Sequence, residues 1–280
     1  MMKNIFLMLG LALGLSVHAQ VQTPPLSPGA QIKQTVGLTD FELNYSRPSL
    51  RGRSLFQQII PLKQAWRFGA NKNTTLSFDT PINIGGKDLK AGTYALFAVP
   101  DKDQWEIIFY NDHDNWGMPQ KLDDSKIAAT ILTPVIKNTK KVETFTISFE
   151  DLNLNGFNLH VAWENTLLSI PVTLPTRELA LNSINRTLNP KPSARDYYSS
   201  AGFLLNENIQ LDKALEYINK AMELDKDPVY YQIYNKALIL KGLGKKQEAI
   251  QAAQLSIEKA KKAGNDEYVR KNTALIEELK

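Results

Sequence analysis

Four arginines stand among aromatic and aliphatic residues in the stretch LNYSRPSLRGRSLFQQIIPLKQAWRFGAN, residues 43–71. A guanidinium group is costly to bury unless it is paired, and its planar fork binds carboxylate or phosphate through two hydrogen bonds. Arginine also stacks on tyrosine and tryptophan rings. One reading is therefore a pocket for an anionic or glycan ligand, lined by Tyr45, Arg47, Arg53, Trp66, Arg67 and Asn71.

The same arginines have a structural alternative. They could pair with carboxylates such as Glu42, Glu143 or Glu150 and fix the first strands onto a sheet. No catalytic carboxylate pair and no nucleophile can be placed beside them from the sequence. We therefore favour interior ion pairs, and keep ligand binding or hydrolysis at an arginine/aromatic pocket as the alternative.

Other reactive groups are scarce. Beyond residue 19 the only histidines are His113 and His160, and the chain has no cysteine. The sequence contains no HExxH, GxSxG, P-loop or dinucleotide-binding glycine motif. Without cysteine there is no disulfide, thiolate metal site or cysteine nucleophile. We predict no metal site and no cofactor, and the sequence favours a non-enzymatic protein while leaving enzymatic activity open.

One acidic segment resembles a calcium loop in its spacing. The first, third and twelfth positions of such a loop are filled by Asp112, Asp114 and Asp123. However, Trp116 occupies the fifth position, Pro119 interrupts the middle, and the flanking residues have the pattern of strands. We interpret NDHDNWG, residues 111–117, as an Asx-rich turn.

The first half of the chain has the period of β-strands. FELNYS, WEIIFY and FNLHVAWE each alternate apolar and polar residues, which predicts half-buried strands. Gly85-Gly86 supplies the positive φ angles of a two-residue turn, so residues 81–89 should form a hairpin. Eight or nine short strands at this spacing indicate an antiparallel sandwich or barrel. All four tryptophans lie in this half, and we expect them in its core.

After Pro175 the period becomes helical, and an internal repeat appears with an offset of 35 residues. The repeat resembles the tetratricopeptide repeat, a helix hairpin of about 34 residues. The resemblance implies that small and large residues alternate where the helices pack. In the first copy these are Tyr198, Ala201, Gly202, Leu205, Ala214, Ile218 and Ala221. In the second copy they are Ile233, Ala237, Leu240, Ala249 and Ala253, with Ser256 in place of a final alanine.

The first residues, MMKNIFLMLGLALGLSVHAQ, contain one lysine, an apolar run and then small residues. This pattern predicts a secretory signal peptide cleaved after Ala19. The apolar run is too short to cross a hydrocarbon core of ~30 Å. We therefore expect export to the periplasm or the extracellular space, with no transmembrane segment in the mature chain.

Charge is spread evenly along the chain. Residues 20–175 carry 15 basic and 15 acidic side chains, and residues 176–280 carry 17 and 14. A nucleic-acid surface usually shows a larger and more clustered basic excess. We therefore do not expect nucleic acid as a partner.

Five ordered segments resemble one family: SPGAQIKQTVG, YSRPSLRGRSLF, WRFGANKNTTLSF, GGKDLKAGTYALFAVP and WEIIF. They are similar to the exported domain-of-unknown-function 2911 family over residues 27–174. That family occurs mainly in Gram-negative bacteria, and helical repeats sometimes follow its domain. The resemblance implies a domain and a compartment. It carries over no activity.

Together these patterns predict a β + α two-module protein, an antiparallel β-sandwich-like domain followed by tetratricopeptide-like α-helical hairpins. The predicted segments are a signal peptide (1–19), the β-sandwich-like domain (20–175), a linker helix (176–194) and helical repeats with a C-terminal cap helix (195–280). We predict an exported, non-enzymatic envelope protein that binds a protein or peptide partner through its repeats.

Overall fold

The structure, a computed structural model, describes residues 22–189 and 191–280. The predicted signal peptide, residues 1–19, lies outside the described residues. In the described part, the chain first forms strands and then helices. The strands are β1 (Gly29–Val36), β2 (Thr39–Ser46), β3 (Thr74–Phe78), β4 (Ile82–Ile84), β5 (Lys87–Leu89), β6 (Gly92–Pro100), β7 (Gln104–Tyr110), β8 (Ile127–Pro134), β9 (Ile136–Asn153) and β10 (Gly156–Thr173).

The strands form two antiparallel sheets. One sheet has the order β1-β2-β3-β6-β7-β8, and the other has the order β5-β4-β10-β9. Their inward side chains share one apolar core, in which Trp105, Phe145 and Trp163 are among the largest fully buried side chains. The period-two alternation of the sequence produces this core because successive side chains point to opposite faces of a strand. The predicted fold class, an antiparallel β module followed by helices, is confirmed.

The glycine hairpin forms as predicted. Ile82 pairs with Leu89 and Ile84 with Lys87, which leaves Gly85 and Gly86 as the two loop residues. Their φ angles are 56° and 82°, as a type I′ turn requires at both central positions. A side chain at Gly85 would collide with Ile131, so this glycine also allows β8 to lie against the turn.

Strand β10 turns back on itself at Glu164, whose φ is 53°. His160 Nε2 lies 3.0 Å from Ser169 Oγ, and Gly156 lies against the carbonyl of Val172. Residues this far apart cannot touch within one extended strand, which advances about 3.3 Å per residue. The two arms therefore lie side by side, in agreement with the two separate apolar runs of the sequence.

Six helices follow in the described residues. They are α1 (Thr176–Thr187), α2 (Ala194–Asn206), α3 (Leu211–Leu224), α4 (Tyr230–Gly242), α5 (Lys246–Lys262) and α6 (Asp266–Glu278). No helix in the described part of the chain is long and apolar enough to cross a membrane. Helix α2 begins with a capping box, in which Ser193 and Asp196 bond each other's backbone N–H groups.

Each helix packs mainly against the next along the chain, so α2/α3 and α4/α5 form successive hairpins. The predicted packing positions fall at these contacts. Fully or nearly fully buried among them are Ala201, Ala214, Ile218, Ala221, Ile233, Ala237, Leu240, Ala249, Ala253 and Ser256. The other three, Tyr198, Gly202 and Leu205, are half-buried.

The carboxylate of Glu207 forms hydrogen bonds that link the sheets to the helices. Glu207, just after α2, has a side chain only 4% exposed. It accepts hydrogen bonds from Asn155 Nδ2, in the β9–β10 turn, at 2.9 and 3.0 Å. It also accepts one from Arg177 Nε of α1 at 2.9 Å. This buried charge is therefore satisfied by one donor from each neighbouring segment, as buried charges require.

Candidate functional site

The first two predicted site residues close an edge of the second sheet. The hydroxyl of Tyr45 donates to the carbonyl of Ile147 at 3.3 Å and accepts from its N–H at 3.2 Å. Arg47 Nε donates to the Phe145 carbonyl at 3.1 Å, and its Nη2 donates to Thr146 Oγ1 at 2.7 Å. Strand β9 is an edge strand, so these side chains satisfy main-chain groups that no further strand pairs.

Arg53 stabilises a tight turn. Its Nε and Nη2 donate to the carbonyls of Leu50 and Ser49 at 2.9 and 3.1 Å. The turn places Arg51 and Gly52 at φ angles of 50° and 74°. Because these two hydrogen bonds go to carbonyls three and four residues earlier in the chain, Arg53 stabilises the local conformation of residues 49–53.

The remaining three predicted residues lie in different places. Trp66 is half-buried and packs against the core, stacked on Trp163 at 5.8 Å between ring centroids. Arg67 is half-buried beside Gly117. Asn71 Nδ2 donates to Ser46 Oγ and to the Ser27 carbonyl, each at 3.2 Å. The structure therefore does not gather the six residues around one cavity.

The predicted ion pairs of these arginines are not formed either. Among the described residues, two of the three acidic partners named from the sequence bind elsewhere: Glu42 pairs with Lys33 at 3.4 Å, and Glu143 accepts the backbone N–H of Arg51 at 2.7 Å. The third, Glu150, forms no ion pair with an arginine in the described part of the chain. The reason is geometric. An edge strand exposes carbonyl groups that need donors, and arginine supplies several donors in a fixed fork. This requirement is invisible in a sequence because it depends on which strand ends a sheet.

The segment of residues 111–117 is an Asx-rich turn held by buried Asn73. The backbone of Asn73 donates to the Asn115 carbonyl at 3.1 Å, and its Nδ2 donates to the Gly117 carbonyl at 2.8 Å. Asp112 accepts from Asn115 and from Lys126, at 2.9 and 2.8 Å. No three acidic or histidine side chains come together as a metal site within the described residues.

A cleft among the helices is the candidate site of this module. Its volume is about 400 Å³, and it lies where the end of α2, the start of α3 and the end of α4 meet. Three leucines and Gly242 contribute apolar surface, and amides and one lysine surround them. The lining residues are Leu205, Asn206, Asn208, Leu211, Asn235, Leu238, Lys241 and Gly242.

Hydrogen bonds fix the polar side of this cleft. Asn235 Nδ2 donates to the hydroxyl of Tyr198 at 3.2 Å. Burial raises the pKa of Tyr198 above its ordinary value. Lys241 Nζ donates to Glu278 Oε1 at 2.5 Å. The cleft therefore has an apolar floor and a rim of amides that can both donate and accept, and a hydrogen bond holds one of them, Asn235, in place.

Most of these lining residues are not predicted by the sequence patterns, which single out the repeat packing positions. Leu205 is the exception, because it is also one of those positions. A signal was present in α4, where Asn235, Leu238 and Gly242 recur at intervals of three and four and so share one helix face. The cleft residues of the α2–α3 turn could not be predicted from helical spacing. Their placement depends on the positive φ angles of Asn208 and Gln210, 51° and 46°.

No curated protein and no solved structure matches this chain. A family model described as protein of unknown function (DUF2911) matches residues 27–172, which cover nearly all of the two sheets. These residues make up more than half of the chain, and the chain therefore belongs to the DUF2911 family.

Proposed function

We propose that this protein is an exported, non-enzymatic envelope protein that binds a protein or peptide partner through tetratricopeptide-like helical repeats. The observation that carries the proposal is the cleft formed by α2, α3 and α4, with its leucine floor and amide rim. In this proposal residues 195–280 form the binding module, α1 links it to the β-sandwich-like domain, and α6 caps the stack. Nearest-neighbour packing of helix hairpins supports this division because repeat proteins are built in this way.

The chemistry of the cleft indicates what kind of partner fits. Leu211 and Leu238 favour an apolar side chain, and Asn206 and Asn235 suit the N–H and C=O groups of an extended peptide. Lys241 is already paired with Glu278, so a free positive charge is not the main attraction. We expect an extended segment with one apolar anchor to occupy the cleft.

The bonding of the predicted site arginines favours partner binding by the helices over a ligand pocket at these residues. The guanidinium groups of Arg47 and Arg53 donate to main-chain carbonyls and to Thr146. Those donors are not free to bind a phosphate or a carboxylate. The alternative of anion binding or hydrolysis at these arginines therefore has less support than partner binding by the helices.

Selection of random 12-residue peptides displayed on phage tests the proposal. The target is the full mature chain, and selected peptides are measured by calorimetric titration. Leu238→Glu would place a charge on the cleft floor and should weaken binding by at least tenfold. The matched control is Leu255→Glu on α5, where the leucine is exposed outside this cleft. Peptides that bind both variants alike, or no selected peptide at all, would contradict the proposal.

Export is tested separately by the mass of the protein recovered from the envelope fraction of a Gram-negative host. Cleavage after Ala19 should leave Gln20 as the first residue. The variant Ala19→Arg should block the small-residue recognition of the cleavage site and leave the leader attached. Full-length protein found only in the cytoplasm would contradict export and would leave the binding proposal standing.

A further inference from the structure

The outer face of the six-stranded sheet is divided into a covered half and an open half. On the covered half, Phe97, Ile108 and Tyr110 pack beneath Met118 and Leu122, which come from the segment between β7 and β8. On the open half the strand register produces two polar rows. One row is Gln31, Asn44 and Thr75, and the next is Lys33, Glu42, Ser77 and Thr93.

A groove lies over this open half. A cavity of about 720 Å³ covers the first row, and one of about 600 Å³ covers the second. The two cavities share Glu42, Ser77 and Thr93, so they are parts of one elongated groove. Each is within the range of about 300–1,000 Å³ that is usual for ligand sites.

The polar groups of the groove are ordered before any ligand arrives. Glu42 Oε1 accepts from Gln31 Nε2 at 3.0 Å and from Asn44 Nδ2 at 2.8 Å. The hydroxyls of Ser77 and Thr93 are hydrogen-bonded to each other at 2.9 Å. The bond from Asn44, with Lys33 nearby, lowers the pKa of Glu42. The groove thus presents fixed planar amides, a carboxylate and hydroxyls, which together can donate to and accept from neighbouring hydroxyl groups.

A tryptophan stands at the rim of the groove. Lys72 and Trp116 form a short antiparallel bridge, and residues opposite each other in such a bridge point to the same side. Lys72 lines the groove, so Trp116 lies on the groove side as well. Its side chain is 72% exposed, so the prediction that all four tryptophans lie in the core is wrong for Trp116. The turn that carries it is held by buried Asn73. An exposed aromatic ring on a turn whose main chain is held in place offers an apolar face to a ligand.

The charges of the groove select against anions. Four carboxylates line it against two lysines: Asp40, Glu42, Asp79 and Asp114, with Lys33 and Lys72. Both lysines are already paired, Lys33 with Glu42 at 3.4 Å and Lys72 with Asp114 at 3.7 Å. A phosphate- or sulfate-bearing ligand would therefore meet excess negative charge. A neutral ligand rich in hydroxyl groups would not.

We propose that this groove binds a neutral oligosaccharide, with Trp116 packed against the C–H face of one sugar ring and the Gln31–Glu42–Asn44 network bonded to the hydroxyls of another. The site is on the β module and is separate from the helical cleft. It goes beyond the proposed partner binding. Either function can fail without the other.

The test uses the full mature chain and hexasaccharides of glucose, xylose, mannose and N-acetylglucosamine. Chitosan hexamer and polygalacturonate serve as cationic and anionic probes. We expect at least one neutral hexasaccharide to bind in calorimetric titration. Trp116→Ala and Asn44→Ala should each weaken that binding about tenfold. Leu152→Ala is the control, because it removes an exposed apolar side chain that does not line the groove.

The outcomes separate clearly. About tenfold weaker binding in both groove variants, with the control unchanged and all three melting temperatures close to that of the wild type, supports the proposal. Binding of polygalacturonate or chitosan alone overturns the assignment to neutral sugars. No neutral sugar bound at millimolar concentration, or binding that neither groove variant changes, overturns the site.

Discussion

The β module and the helical module achieve their packing in opposite ways. In the β module one continuous core joins residues far apart in sequence, as where Tyr45 contacts Ile147 across 102 positions. In the helices two small clusters form between successive elements, around Ala201 and around Ala237. A core with non-local contacts folds as a unit, whereas stacked hairpins gain stability from neighbour to neighbour. A destabilising substitution should therefore lower the stability of the whole β module, whereas one in the helices should affect mainly the neighbouring helices.

The largest effect should come from the centre of the β core. Trp163→Ala removes a ring that stacks on Trp66 and donates to the Glu143 carbonyl at 3.2 Å. We expect a loss of about 3–5 kcal/mol in the free energy of unfolding, measured by urea denaturation followed by near-UV circular dichroism. The control is Trp116→Ala, since that ring is exposed. A decrease of less than about 1 kcal/mol in the free energy of unfolding would contradict a single cooperative core.

A buried helix residue should have a smaller and more confined effect. Ile218→Ala in α3 leaves a cavity between α2 and α3, and we expect a loss of about 2–4 kcal/mol. The loss should appear in the helical signal at 222 nm, while the near-UV signal of the tryptophans in the sheets keeps its midpoint. Equal shifts of both signals would show that the modules unfold together and would remove the contrast.

The closed edge of the second sheet provides a sharper test. Tyr45→Phe deletes one oxygen and leaves the buried N–H and C=O groups of Ile147 without their partner. We expect about 1–3 kcal/mol of destabilisation, measured by thermal denaturation. Tyr217→Phe in α3 is the matched control, because its hydroxyl makes no hydrogen bond within the described residues. The comparison fails if the two variants melt alike.

The hydrogen bonds of Glu207 between the two modules should contribute about 1 kcal/mol to the free energy of unfolding. Glu207→Gln keeps the size of the side chain and removes the charge that attracts Arg177 and the amide of Asn155. The loss should lower the unfolding midpoint of the less stable module and leave that of the more stable module unchanged. The loss should appear as a wider separation between the two unfolding midpoints, and unchanged separation would mean that Glu207 does not couple them.

The smallest effect concerns pH. The hydrogen bond from Lys126, with a second from Asn115, lowers the pKa of Asp112 below its ordinary value near 3.8. A carboxyl with a depressed folded-state pKa stabilises the fold above its unfolded pKa, and this is lost as pH falls through the lowered value. We expect the turn around Trp116 to loosen below about pH 4, seen in indole NMR signals. Asp112→Asn should lack this pH dependence, and an identical titration would contradict it.

The sequence predicts the elements well because local patterns decide them. Alternating runs such as that from Phe157 to Trp163 place apolar residues on one face, and Gly85-Gly86 supplies the positive φ angles of a two-residue hairpin turn. The role of Arg47 could not be predicted in the same way. It depends on β9 being the last strand of its sheet, and that order is a product of the whole fold.

The groove on the six-stranded sheet could not be predicted from the sequence either, because it also depends on how the strands pair. Gln31, Glu42 and Thr93 come from three strands, and only the register brings them together. Alternation alone predicts that each points away from the core. It does not predict that the segment before β8 covers half of that face and leaves the other half open.

The edge of β9 has a consequence for how this protein behaves among copies of itself. Its outward main-chain groups at Phe145 and Ile147 are already bonded to Tyr45, Arg47 and Pro48. A strand from a neighbouring molecule would find no free N–H or C=O groups there to pair with. Side chains thus do at this part of the edge what prolines and charges do at others, and they hinder edge-to-edge pairing with another copy there.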